Sequence, residues 1–211
     1  MKIIYEDKDI IVYDKPAGVN ADEIRFRAHR LDKDTSGVLV AAKNKKALAF
    51  LQKQFAENKV EKKYYALVVG KIKKDSGTIE TFLARSPKDK RKQKAYLSVA
   101  ELGLKKPRKA LTKYRVIKRF KDFTLLEVIP KTGRKHQIRA HMTYLGHPIA
   151  GDKLYRFRNQ PCPPELSRQF LHATAIKIRL PNGRKKEFKS PLPEDLKKVL
   201  LNLSLKENNE H

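Results

Sequence analysis

The chain has 211 residues, and its 49 Lys and Arg against 23 Asp and Glu give a formal charge of +26. An apolar share of 40% is enough for a packed core and argues against a wholly disordered chain. There is no long uncharged apolar run to span a membrane and no unbroken N-terminal apolar stretch of the secretory kind, and the lone Cys162 rules out a disulfide framework or a cysteine zinc cluster.

Ile3-Ile4-Tyr5 and Ile10-Ile11-Val12-Tyr13 are β-prone runs separated by the charged turn Glu6 to Asp9, and they read as a hairpin. Lys15-Pro16-Ala17-Gly18 ends the second strand. Val38 to Ala42 reads as a buried strand, and Asn44 is placed to cap a helix whose apolar face is Ala47, Leu48, Leu51 and Phe55. Tyr64 to Ile72 and Phe123 to Ile129 read as strands, the second closed by Pro130. His136 to Leu145 carries Ile138, Met142 and Leu145 at helical spacing, with Gly146 at the left-handed cap. Ile176, Ile178 and Leu180 alternate with Lys177 and Arg179, as in a half-buried strand. Asn182-Gly183 is a hairpin signal, and Phe188 lies on the returning strand. After Pro191 and Pro193 a last helix carries Leu196, Val199, Leu200 and Leu203 on one stripe.

Strands outnumber helices and most connections are short. The expected class is α+β, a mixed, mostly antiparallel sheet with helices outside. Residues 1–204 are expected to form one domain, followed by a short polar tail, 205–211. Lys105 to Arg108 is the expected insertion-tolerant loop.

So large a positive excess fits a polyanionic partner, nucleic acid first among them. The competing explanation is an ordinary Lys-rich surface. Three segments combine reactive and turn-forming residues: His29 to Gly37, Lys62 to Ala66, and Lys131 to Arg139. No His-Glu-x-x-His run, phosphate loop or dinucleotide fingerprint occurs, and Ser36 lacks the glycines of a nucleophile elbow. A carboxylate is left. Asp32 either carries chemistry or merely makes an Asx-turn, and the local residues leave both readings open.

The run His29-Arg30-Leu31-Asp32, followed by Thr35-Ser36-Gly37, resembles the catalytic motif of the RluA-type pseudouridine synthases. Lys62-x-Tyr64-x-Ala66-x-Val68-x-Gly70 is similar to the second motif of that family. Thr132-Gly133-Arg134-x-His136-Gln137-Ile138-Arg139-x-His141-Met142 is similar to the third, continued by Leu145 to Tyr155. Lys15-Pro16-x-Gly18, Thr112-x-Tyr114-x-Val116 and Leu171-His172-Ala173 are lesser matches. Asp14 stands where the family usually has Asn, and the Gly18 to His29 connection is shorter than is common.

The resemblance implies a catalytic domain without the accessory S4-type domain, isomerising uridine in rRNA or tRNA to pseudouridine with no metal and no small-molecule cofactor. It implies Asp32 as the essential carboxylate, Arg134 as its guanidinium partner, and Tyr64 as the active-site tyrosine. Tyr64 could equally be a core strand residue, with Tyr65 on the opposite face the better core candidate, and Arg134, taken without the motif, reads better as a phosphate contact on the basic surface. Arg30, His29, Thr35, Lys131, Lys135 and Arg139 are the expected RNA-binding residues. The expected setting is a cytoplasmic monomer with RNA as partner and no membrane. The rival reading is a catalytically silent RNA-binding or ribosome-assembly protein of the same fold. A non-specific DNA binder is a third.

Overall fold

The computed structural model describes residues 1–100 and 107–208. Lys105 and Lys106 of the expected loop, and residues 209–211 of the expected tail, lie outside them. The chain forms two compact units, Met1–Tyr64 with Leu171–Pro193, and Tyr65–Phe170 with Glu194–His211. Among the described residues there are ten strands and three α-helices, the α+β class expected.

In the first unit, β1 (Lys2–Glu6) and β2 (Ile10–Lys15) form the antiparallel hairpin. Its turn is held by the Asp9 and Ile10 N–H groups, each donating to Asp7 Oδ1 at 2.8 Å. β2 pairs with β3 (Ser36–Ala42), and β3 pairs in parallel with β9 (Leu171–Arg179). β10 (Lys185–Lys189) returns antiparallel on β9 after the Asn182-Gly183 turn, where Gly183 has a φ of +86°. All of β3 is buried. α1 (Lys45–Ala56) starts at Asn44, whose side chain accepts the Ala47 N–H at 2.8 Å. Its buried Ala47 and Leu51 pack with Val12, Val40, Ile176 and Ile178, and Leu48 and Phe55 lean on the same core. Gln54, buried as well, closes the end of β9 by a reciprocal pair of bonds to the Arg179 backbone, at 2.9 and 3.0 Å.

β4 (Glu61–Val69) starts in the first unit and ends in the second. It begins three residues before the expected Tyr64 and stops short of Ile72. In the second unit the strand order is β4, β8 (Phe123–Pro130), β7 (Arg108–Arg119), β5 (Ser76–Arg85), β6 (Gln93–Tyr96). α2 spans Gln137–Tyr144, with Gly146 at a φ of +85° just beyond. α3 (Glu194–Asn208) buries Leu196 and Val199 and continues past Ser204, the expected domain end. No described helix is long and apolar enough to cross a membrane.

Candidate active site

Asp32 lies on a tight turn closed by the Thr35 N–H, which donates to the Asp32 carbonyl at 3.0 Å. The turn is braced from two sides. Lys15 is wholly buried, and its ammonium donates to the carbonyls of Pro16, Val19 and Lys33, each at 2.9 Å. A buried ammonium is tolerated only when its hydrogens find acceptors. Here they tie the Pro16–Val19 segment to the residue after Asp32, and the Gly18 N–H joins the same Lys33 carbonyl at 3.0 Å. On the other side, Ser36 Oγ meets His172 Nδ1 at 3.0 Å, and His172 Nε2 meets the Ser190 carbonyl at 3.1 Å. A carbonyl only accepts, so Nε2 carries the proton and the Ser36 hydroxyl donates to Nδ1. Ser190 Oγ donates to Asp14 Oδ1 at 2.7 Å, which gives the carboxylate at position 14 a partner that an acceptor suits. Gly37 has a φ of +115°, and a Cβ there would collide with the Ala173 carbonyl oxygen.

His29 is locked into the same unit. Its Nε2 accepts the Val40 N–H at 3.1 Å and its ring stacks on Phe55, centroids 4.6 Å apart. Burial, helped by the charge of Lys62 and partly opposed by a backbone hydrogen bond at Arg30, pushes the imidazole pKa down to about 3. The ring is therefore neutral, as an acceptor nitrogen requires. Tyr64 and Lys62 are buried on one face of β4, two residues apart. Burial first, and the negative charge of Asp32 second, raise the Tyr64 phenol above the ordinary tyrosine value. The hydroxyl stays protonated and lies near enough to Asp32 to feel its charge.

In the second unit, the loop after β8 is pinned to β7. Gln137 Nε2 donates to the Leu111 carbonyl at 3.0 Å and to Thr112 Oγ1 at 2.9 Å. Its Oε1 accepts from the Thr132 hydroxyl at 2.7 Å and the Arg134 N–H at 2.9 Å. His136 takes a left-handed φ of 53°, a strained conformation for a side chain with a Cβ. Its Nδ1 lies 3.1 Å from the Tyr155 hydroxyl, which also accepts the Gln93 N–H at 2.6 Å. Arg139 is buried. It grips Asp152 by two parallel bonds, Nε to Oδ2 at 2.6 Å and Nη2 to Oδ1 at 2.9 Å, over the Tyr155 ring. Arg134 is half-buried, with Nε donating to the Lys109 carbonyl at 3.0 Å.

A half-buried carboxylate on a braced turn, beside a protonated tyrosine, is placed for nucleophilic or proton-transfer chemistry. The sequence profile of the family described as RNA pseudouridylate synthase matches residues 23–144, more than half of the chain. The chain belongs to this family. It is 36% identical to an RNA pseudouridine synthase of Bacillus subtilis named YlyB, over 96% of this chain and 73% of that one. It is 40% identical to the ribosomal large subunit pseudouridine synthase D of Borreliella burgdorferi, over 72% of this chain but 54% of that one, so it spans little more than half of that relative's length. The solved structure of human RNA Pseudouridylate Synthase Domain Containing 1 superposes with a TM-score of 0.79 at 29% identity, covering 93% of this chain and 86% of that one.

Within this pseudouridine synthase, the expected site residues divide by setting. Asp32 and Tyr64 come together in the first unit. Tyr65, expected to be the core residue of the pair, is only half-buried, and Tyr64 is the buried one. Of the six residues expected to bind RNA, Arg30, Lys131 and Lys135 are exposed, and Arg30 reaches Asp22 at 3.4 Å. His29 and Arg139 are engaged inside the protein, on the Val40 N–H and Asp152, and Thr35 is buried, its backbone N–H closing the Asp32 turn. Among the described residues, no group of three or more His, Cys, Asp or Glu is arranged to hold a metal. The sequence reading assigned no role to Lys15 or Asp152. Both lie inside matched motifs, and a charge in an otherwise apolar or turn-forming stretch was the available signal.

Proposed function

We propose that the chain isomerises specific uridines of rRNA or tRNA to pseudouridine, as a cytoplasmic monomer, with Asp32 as the essential group. The observation that carries this reading is the Asp32 turn itself, fixed by Lys15 and by the Ser36–His172 pair, with the Tyr64 hydroxyl within reach of its charge. In the reaction the N1–C1′ bond breaks, the uracil turns, and C5 bonds to C1′. C5 loses a proton and N1 gains one, so atoms and electrons balance without water or an electron acceptor. The target must leave its stack, at a cost of about a few kcal/mol that is lowest in loops and single strands. Whether Asp32 attacks C1′ or takes a proton from the sugar, it acts as the carboxylate.

Tyr64 offers a ring face for the uracil and a hydroxyl for the departing C5 proton. Held protonated, it takes that proton only while passing on its own, as a relay and not as a resting base. The deciding experiment is a comparison of pseudouridine maps of total RNA, read by carbodiimide labelling, from cells with and without this protein. Loss of defined sites supports the reading. Identical maps with retained RNA binding would leave a silent RNA-binding protein.

A further inference from the structure

Arg134 is not a loosely placed surface side chain. The loop that carries it is anchored to β7 by the Lys131 N–H on the Leu111 carbonyl at 2.9 Å and by Gln137. Its Nε is fixed on the Lys109 carbonyl at 3.0 Å, the residue next to Arg108. Arg108 opens β7, opposite Leu83, and is exposed. Partial burial, and after it the positive charge of Arg108, lower the Arg134 guanidinium from its ordinary value. Carboxylates of the same unit are already paired. Glu80 pairs with Lys109 at 2.5 Å, Asp89 with Arg91 at 2.8 Å and Asp152 with Arg139 at 2.6 Å. Among the described residues, no carboxylate lies within ion-pair distance of Arg108 or Arg134. A guanidinium fixed on the carbonyl one residue from a second arginine, with no carboxylate among the described residues to pair either, makes a place that one bound anion would neutralise. Their planar forks match phosphate oxygens.

We propose that Arg108 and Arg134 form a clamp for a single backbone phosphate of the RNA, a positioning contact apart from the chemistry at Asp32. This rests on RNA being the substrate. The exposed Lys131 and Lys135 flank the clamp and extend the path of the backbone.

The test uses the full chain, a fluorescent RNA hairpin with uridines in its loop, and the variants Arg108→Gln, Arg134→Gln and the double. Each single variant should weaken binding about tenfold and flatten the salt dependence of log K by about 0.7–0.9. The double variant should lose little more than either single, because one phosphate is shared. In turnover the effect should fall on KM and not on kcat. Arg134→Lys, which keeps the charge but not the fork, should restore the salt slope and only part of the affinity. Wild-type affinity and slope in both Gln variants would overturn the clamp. So would a kcat loss at unchanged KM, which would place Arg134 at the reacting atoms. Because binding is read without turnover, the clamp is decided even if the chain forms no pseudouridine.

Discussion

A lysine side chain with no exposed surface must spend all three ammonium hydrogens, and Lys15 spends them on carbonyls that frame Asp32. Replacement by Met keeps the bulk and leaves three carbonyls unsatisfied. Lys15→Met should lower stability by roughly 3 kcal/mol and cut turnover more than RNA affinity. Urea titration and single-turnover rates check both. Normal kinetics in a folded variant would remove Lys15 from the account. Tyr64→Phe removes a hydroxyl and keeps the ring. It should slow the single-turnover rate while RNA affinity stays within a few fold, and an unchanged rate would confine Tyr64 to stacking. At this scale the family motif around Asp32 was legible in the sequence. Which of Tyr64 and Tyr65 is buried was not, because Ala66, Leu67 and Val68 are all buried and leave no alternation to set the face. Arg139 looked like a surface cation, and its partner Asp152 lies 13 residues further on, outside any local spacing rule.

His29 and His141 give the elements a shared pH sensitivity. His141 is buried between the hydroxyls of Thr112, at 2.8 Å, and Thr81, at 3.0 Å, and burial pushes it down to about 4. His29 is pushed down to about 3, against an ordinary histidine value of 6.5. Both folded values lie below the unfolded one. Their contribution is full above pH 6.5 and is lost as pH falls through the window down to these values, where the unfolded chain binds the extra protons. Urea midpoints should therefore fall from neutral pH to about pH 4.5, and His29→Asn should shrink that fall. An equal fall in the variant would contradict the assignment. Helix α1 depends on its cap, so Asn44→Ala should cost about 1 kcal/mol, read by thermal melting. Gly37→Ala forces a side chain against the Ala173 carbonyl and into a positive φ. It should cost roughly 1–3 kcal/mol and shift the end of the Asp32 turn, with turnover falling alongside melting temperature. The hairpins and the α1 face could be read from apolar spacing. β5 and β7 could not, because their buried positions include Thr81 and Thr112, hydroxyls whose burial is made possible by His141 and Gln137 far along the chain.

Across the whole molecule, the +26 charge is a statement about partners and not about fold. It pointed to a polyanion, yet it could not distinguish a modifying enzyme from a silent binder, since both need the same phosphate contacts. On the proposed reading the Asp32 turn distinguishes them, because binding alone does not require a carboxylate held in a positively charged chain. The most direct test is Asp32→Asn, which removes one charge and no bulk. Turnover of RNA that the wild-type chain modifies should vanish while affinity for it stays within a few fold. Pseudouridine formed at the wild-type rate by that variant would contradict the account.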